Sequence, residues 1–175
     1  MLYRASAGAS NLTGDYYMSV STFSVPSNAR YFEDYAVGAV YEFGSLVVSE
    51  AEIVAFAERF DPQPFHVDRK AAQESIYGGI IASGWHSSSM LMRLLVDNFL
   101  SSVASMGSPG VDEIRWPKPV RPNDELTLRV TVLEARVSMS KPDRGVMKTL
   151  SELFNQDREL VVSLRSTGFV GRRPS

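Results

Sequence analysis

Hydrophobic and polar residues follow regular patterns along the chain, and the first of these predict a strand followed by a helix. Residues 41–48 are rich in aromatic and β-branched side chains, which favours a first β-strand. Ser49 and Glu52 then form a capping box, and apolar residues follow at helical spacing. The predicted helix ends at Asp61, because the residue before a proline is disfavoured in helical geometry.

A second helix is predicted from about residue 84 to residue 100. Its middle is apolar apart from Arg93, so the helix must be buried on more than one face. Only a sheet or a bundle that wraps around it can supply that burial. Gly78 and Gly79 precede this helix and Gly84 opens it, which permits close backbone approach and unusual φ angles.

The rest of the chain predicts strands. Residues 111–116 form a short one that prolines end, residues 126–132 alternate between apolar and polar side chains, and residues 146–154 and 160–169 follow after turn sequences. On the third of these strands three apolar residues share one face: Val146, Leu150 and Phe154. Consecutive strands joined by short turns predict an antiparallel meander. We therefore predict an α+β hot-dog fold, with an antiparallel sheet wrapped around a long central helix.

The predicted domain organisation is simple. Residues 1–28 are rich in small and polar residues without sustained periodicity, and we expect a poorly determined N-terminal extension, with Met18 as an alternative start. Residues 29–175 are predicted to form one domain, since neither a repeat nor a linker divides them.

Composition and charge narrow the classes of function. A net charge of −2 gives no electrostatic reason to expect nucleic acid or an anionic membrane as a partner. The chain has no cysteine, which excludes disulfides, thiolate nucleophiles and cysteine-based metal sites. We find neither an apolar run of membrane-spanning length nor the pattern of a signal peptide, so we expect a cytoplasmic protein.

The candidate chemistry lies in residues 60–66, where Asp61 stands five positions before His66, one of only two histidines. Pro62 and Pro64 keep the link between them from being helical. A straight link would span roughly 15 Å in polyproline-like geometry, so a water shared by both side chains requires the link to bend back. Taken alone, Asp61 also fits a helix-ending cap, and His66 also fits a structural histidine.

Two stretches carry a resemblance to a known family. Residues 61–66, with the sequence Asp-Pro-Gln-Pro-Phe-His, and residues 79–86, with Gly-Ile-Ile-Ala-Ser-Gly-Trp-His, resemble the MaoC-like dehydratase family, which includes the R-specific enoyl-CoA hydratases. The segment 116–124 is similar to the family's Pro-Val-x-x-Gly-Asp turn. The resemblance covers about residues 30–170.

The match can be followed residue by residue. The family pattern reads Gly-Asp-x-Asn-Pro-apolar-His, and then a glycine-containing turn opens the central helix. Asp61, Pro64 and His66 match that pattern, and Gly84 matches the helix-opening glycine.

Three positions depart from the family pattern. Phe60 stands where the family often has glycine, and Gln63 stands where it often has asparagine. Ser83 precedes the helix-opening glycine, where relatives commonly carry histidine. Gln63 keeps the amide of asparagine on a longer arm, which is compatible with a hydrogen-bonding role.

The resemblance implies reversible syn addition of water to the double bond of a trans-2-enoyl thioester, without a metal or a redox cofactor and with CoA as part of the substrate. Asp61 is assigned as the base that activates water. His66 is expected to orient that water and to take part in proton transfer to C2, since an imidazole exchanges protons near neutral pH. The Gly84 N–H, in the first turn of a helix, is expected to serve as an oxyanion-hole donor.

The remaining expectations concern binding and assembly. Five further residues are predicted to bind substrate or line its pocket: Gln63, Pro64, Ser83, Trp85 and His86. Met90 and Met92, on the helix predicted over residues 84–100, are expected to lie either in the core or in an acyl pocket. The resemblance also implies a homodimer whose sheets continue across the interface, with a higher assembly of dimers as an alternative.

Two other functions remain open. A thioesterase of the same fold would bind acyl-CoA but attack the thioester carbonyl. A non-catalytic subunit would keep the fold without turnover, and the departures at Phe60 and Gln63 leave room for that alternative.

Overall fold

The computed structural model describes residues 19–174, in which five strands form one antiparallel sheet. The strands are β1 (Val40–Val47), β2 (Gly110–Arg115), β3 (Glu125–Val137), β4 (Arg144–Phe154) and β5 (Leu160–Gly171). The helices are α1 (Glu50–Phe60), α2 (Pro64–Val67), α3 (Arg69–Glu74) and α4 (Gly84–Leu94), with short 3-10 turns at Ser27–Ala29 and Phe32–Asp34. The predicted α+β hot-dog architecture is confirmed.

The order of the strands in the sheet is β1-β3-β4-β5-β2. The predicted meander is therefore present only in β3, β4 and β5, which follow one another as hairpins. β2 pairs with β5 at the far edge and is not adjacent to β3, so the meander prediction was wrong for this strand. The physical reason is the proline-rich segment 116–122, which cannot form a tight hairpin and instead carries the chain across to the other half of the sheet.

α4 continues directly into a π-helical stretch, Leu95–Phe99, and we call the two together the central helix. The predicted helix over residues 84–100 is confirmed, although its last five residues have the wider winding. Leu91 and Phe99 are almost fully buried, in a core shared with the inner face of β3. None of the helices described is long and apolar enough to cross a membrane.

The buried face of β4 is not the one that the apolar pattern indicates. Val146, Leu150 and Phe154 do share a face, but each is only half-buried. The buried positions are the alternate ones, and those with side chains are Met147, Thr149, Ser151 and Leu153. Gly145, on the same face, lies against the Phe32 ring. Small and hydroxyl-bearing residues there leave room for the helix. On the outer face the Phe154 ring is instead covered by arginine guanidinium groups.

The packed part of the chain begins before residue 29, where we predicted the domain to start. The Phe23 ring stacks on the Tyr41 ring at 4.2 Å between centroids, and the Arg30 guanidinium lies 3.4 Å above the Phe23 centroid. The Ser21 N–H donates to the Val40 carbonyl at 2.6 Å. Ser21 and Phe23 therefore contact β1. The rest of the predicted extension, including Met18, lies outside the described residues.

Candidate active site

The chain reverses direction directly after α1. The Asp61 N–H still donates to the Ala57 carbonyl, which ends that helix, and the Gln63 N–H donates to the Asp61 carbonyl at 2.7 Å. Pro64 then occupies the first position of α2. We predicted a non-helical link as far as His66, and this was wrong from Pro64 onward, because a proline is well tolerated at a helix start, where its missing N–H has no partner to lose.

This turn brings the carboxylate and the imidazole together. His66 Nε2 lies 3.4 Å from Asp61 Oδ2, so the bend that a shared water requires is present. His66 Nδ1 lies 2.7 Å from the Ile81 carbonyl oxygen. Because a carbonyl only accepts, Nδ1 must carry a proton, and in the neutral imidazole Nε2 then presents its lone pair towards Asp61.

The Asp61 carboxylate is held on both oxygens. The Ser83 hydroxyl donates to Oδ2 at 2.7 Å, and the Gln63 amide donates to Oδ1 at 2.8 Å. The Ser83 hydrogen bond, followed by the Gln63 hydrogen bond, lowers the pKa of Asp61 below its ordinary value. Partial burial opposes that shift, and the nearby His66 adds to it. The side chain therefore stays ionised at neutral pH.

The start of α4 explains the glycine at position 84. A Cβ atom on Gly84 would lie 2.8 Å from Cε2 of the Trp116 indole, closer than real side-chain contacts allow. The Trp116 Nε1–H donates to the Ser88 hydroxyl at 3.2 Å, and the Trp85 ring meets the Trp116 ring edge-on at 5.5 Å. Glycine thus allows the Trp116 ring to lie against the first turn of the helix.

These groups line a cavity of about 540 Å³. Five of the predicted site residues line it: Asp61, Gln63, His66, Gly84 and Trp85. Three that we predicted to bind substrate, Pro64, Ser83 and His86, do not line it. Several further residues complete the wall: Phe65, Tyr77, Ile81, Ala82, Ser87, Trp116, Pro117, Lys118, Pro119 and Val120.

His86 lies on a different side of α4. Its ring stacks on the Phe56 ring of α1, with 4.8 Å between centroids and an interplanar angle of 13°. Burial lowers the pKa of His86, and its Nδ1 has no hydrogen-bond partner among residues 19–174. Helical periodicity places position 86 about 200° from position 84, which turns this histidine towards α1.

Sequence reasoning missed part of the wall. Tyr77 carries no pattern that marks it as a pocket residue, and it lies in the turn that follows α3. The Ile81 carbonyl that fixes the His66 ring is a backbone group, so no side-chain pattern could reveal it. Trp116 could have been found, since it opens the proline-rich segment that the family resemblance includes.

A second cavity, of about 230 Å³, lies near the other end of the central helix. Met92, Leu95 and Phe99 of that helix line it together with residues of β4 and β5. The two cavities have no lining residue in common. Among residues 19–174, no cluster of three or more His, Cys, Asp or Glu side chains could hold a metal ion.

Comparisons with known proteins identify relatives of the chain. The family described as "MaoC like domain" matches residues 33–152. An uncharacterised protein of Bacillus subtilis, YdeM, is 31% identical over 124 residues, which cover 71% of this chain and 86% of that protein.

Solved structures extend the comparison. A MaoC-like dehydratase from Rhodospirillum rubrum is 42% identical with a TM-score of 0.77, covering 83% of this chain and 99% of that one. The R-hydratase PhaJ1 from Pseudomonas aeruginosa is 23% identical with a TM-score of 0.65, covering 82% of this chain and 86% of that one, and this likeness shows a shared fold.

Proposed function

This chain belongs to the MaoC-like domain family, and from that premise we propose that it is a hydro-lyase acting on trans-2-enoyl-CoA thioesters. The family and the 42% identical dehydratase support a hydratase or dehydratase role. The R-hydratase shares the fold of this chain, and the enoyl thioester is the substrate class that the family resemblance implies. The single observation that carries the proposal is the pairing of Asp61 with His66 at 3.4 Å beside a cavity.

The geometry of this pair suits one water molecule. A carboxylate and the unprotonated nitrogen of a neutral imidazole are both acceptors, so they have no hydrogen to share directly. A water that donates one hydrogen to Asp61 Oδ2 and the other to His66 Nε2 satisfies both, and a separation of 3.4 Å leaves it at about 2.8 Å from each. Its oxygen lone pairs are then free to face a substrate in the cavity.

The reaction balances with these groups alone. The water oxygen bonds to C3 while Asp61 accepts one of its protons, and the electron pair of the double bond moves towards the thioester oxygen as an enolate. When the enolate collapses, C2 takes a proton from the Asp61–His66 pair on the same face. The carboxylate is then regenerated, and one water has been added.

The developing charge on the thioester oxygen needs a donor. The Gly84 N–H is in the first turn of α4, where no intrahelical acceptor is available and the helix dipole favours negative charge. Gly84 lines the same cavity as the Asp61–His66 pair. A preorganised donor of this kind contributes roughly 3–4 kcal/mol to transition-state stabilisation.

A homodimer fits the surface of the chain. Among residues 19–174, β2 is an edge strand whose backbone groups on one side pair with no other strand, and Val111 on this strand is 56% exposed. Met92 and Val96 form an exposed apolar stripe on the central helix, at 49% and 53% exposure. A second copy that continued the sheet at β2 would cover such surface.

An assay with a short trans-2-enoyl-CoA tests the proposal. We expect loss of the conjugated absorbance without release of free thiol. Free thiol would instead indicate a thioesterase, and no change in either signal would indicate a non-catalytic protein. Both of those outcomes would overturn the hydratase proposal.

Substitutions then test the assigned residues. Asp61→Asn and His66→Ala should each lower the hydration rate by about 10²- to 10⁴-fold with the fold retained by circular dichroism. Arg136→Ala, an exposed change on β3, serves as the control and should leave the rate unaltered. Rates equal to wild type in either site variant would refute the assignment.

A further inference from the structure

Ser83 is a fully buried residue whose hydroxyl makes two hydrogen bonds of opposite sense. The side chain has 0% exposure. Its oxygen accepts from the Trp85 N–H at 3.2 Å, as the N-cap of α4. Because an amide N–H can only donate, the single hydroxyl proton is free to point at Asp61 Oδ2, 2.7 Å away.

The short segment that contains Ser83 holds the whole catalytic pair. The Ile81 carbonyl accepts from the His66 ring, and the Ser83 hydroxyl donates to Asp61. The segment is itself fixed by the Ala82 N–H, which donates to the Val120 carbonyl at 2.8 Å. Ile81 and Ser83, two positions apart on one anchored segment, thus orient His66 and Asp61, which lie on a separate turn.

We propose that Ser83 is a positioning residue for the hydration, holding the Asp61 carboxylate in the rotamer that faces His66. This inference rests on the proposed function and replaces our prediction that Ser83 contacts substrate. Oδ2 is the carboxylate oxygen nearer to His66, and Ser83 is the group that donates to it. Gln63 cannot take over this role, because its amide is bonded to Oδ1.

Removing the hydroxyl has a predictable electrostatic result. The Ser83 hydrogen bond is the largest influence that lowers the pKa of Asp61. Without the Ser83 hydroxyl, the Gln63 hydrogen bond and the nearby His66 still lower the pKa of Asp61, while burial still raises it. The pKa of Asp61 therefore rises relative to wild type. If Asp61 acts as an ionised base, the acidic limb of the kcat/KM profile must move to higher pH with it.

The test combines a titration with kinetics. In protein labelled with ¹³C at aspartate Cγ, the Asp61 resonance is identified by its loss in Asp61→Asn. Its titration is then compared in wild type, Ser83→Ala and Ser83→Gly. The glycine variant is included because glycine is nearly as good an N-cap as serine, so it removes the hydroxyl with little cost to α4.

Two control variants separate positioning from general effects. Ser49→Ala removes the N-cap serine of α1, and Ser89→Ala removes an exposed hydroxyl from α4 that donates to the Trp85 carbonyl. In both, the Asp61 titration and kcat should match wild type. In Ser83→Ala and Ser83→Gly, the Asp61 resonance should titrate at higher pH, and kcat should fall about tenfold or more with KM within about twofold, as expected for a lost hydrogen bond to a charged group.

The outcomes are distinguishable. An Asp61 titration that coincides with wild type in both Ser83 variants overturns the inference, whatever the activity. A shifted titration with unchanged kcat also overturns the inference, because the Ser83 hydrogen bond would then change the pKa of Asp61 without affecting catalysis. If wild type hydrates no enoyl-CoA, the proposed function fails and the positioning role fails with it, while the titration still shows whether the hydrogen bond exists.

Discussion

The central helix begins beside the larger cavity at Ser83 and ends beneath a buried arginine, Arg30. Both ends leave backbone groups without intrahelical partners. At the N-terminal end the groups face the larger cavity, and the Asp61 side chain is 22% exposed. At the C-terminal end Arg30 is 4% exposed and covers the final carbonyls.

The C-terminal end is filled by side chains from the start of the domain. The Arg30 guanidinium donates to the Asn98 carbonyl at 3.0 Å and to the Phe99 carbonyl at 2.7 Å. The Tyr35 hydroxyl also donates to Phe99, at 3.1 Å, and burial raises its pKa to about 12, so it remains a donor at neutral pH. One end of the helix is thus closed for stability, while the other is left available to a ligand.

Among substitutions that test this difference between the two helix ends, replacing Arg30 should have the largest effect on the free energy of unfolding. Arg30→Met keeps the length of the side chain but leaves the buried Phe99 carbonyl and the part-buried Asn98 carbonyl with fewer donors, and it removes the cation–π contact with Phe23. We expect the free energy of unfolding to fall by about 3 kcal/mol. Urea denaturation measures it directly.

The matched control is Arg136→Met on the exposed side of β3, which should change the free energy of unfolding by less than about 0.5 kcal/mol. At a temperature where Arg30→Met is fully folded, its hydration rate should stay within about twofold of wild type, because Arg30 lies at the opposite end of the helix from the cavity. An equal cost for the two arginines would show that Arg30 does not close the helix end.

The contrast also explains which features could be predicted from sequence. The α1 cap, the three-strand meander and the Asp61–His66 spacing are local, so neighbouring residues determine them. The contact between Arg30 and Asn98 joins residues 68 positions apart, and nothing near Arg30 in sequence marks it as buried.

The same limit applies to β4 and to Ser83. On β4 the pattern of apolar residues indicates the wrong face, because the helix packs against small and hydroxyl side chains such as Thr149 and Ser151. Ser83 looks like a pocket residue by its position before Gly84. Its burial and its bond to Asp61 arise only when the turn at residues 61–66 folds back, which is a tertiary effect.

A smaller effect is expected at the N-terminal end, for Gly84→Ala. The new Cβ would lie 2.8 Å from the Trp116 ring, and overpacking of this kind costs roughly 1–3 kcal/mol. Alanine's better helix propensity offsets at most about 1 kcal/mol of this. The net loss should therefore be about 1 kcal/mol, accompanied by slower hydration as the Trp116 indole moves.

A double-mutant cycle isolates the contact. In a Trp116→Ala background, Gly84→Ala should cost nothing or should stabilise, because the clash has been removed. Gly171→Ala is the matched control, since a Cβ there meets only ordinary contacts at 3.6 Å with Ala104. The same cost of Gly84→Ala in both backgrounds would show that the glycine serves some purpose other than admitting Trp116.

The smallest effect is the dependence of stability on pH, and it separates the two ends most directly. Hydrogen bonds from Ser83 and Gln63 lower the folded pKa of Asp61 below the value of about 3.9 that an unfolded aspartate shows. The ionised carboxylate therefore adds stability that is fully present above the unfolded pKa and is lost as the pH falls through the lower, folded pKa.

The difference in free energy of unfolding between wild type and Asp61→Asn should be constant above about pH 5 and should shift in favour of the variant below about pH 4. The cost of Arg30→Met should not vary over that range, since an arginine keeps its charge throughout. Parallel curves for wild type and Asp61→Asn down to low pH would mean that the carboxylate gains nothing from its donors, and the two ends would then not differ in how their stability depends on pH.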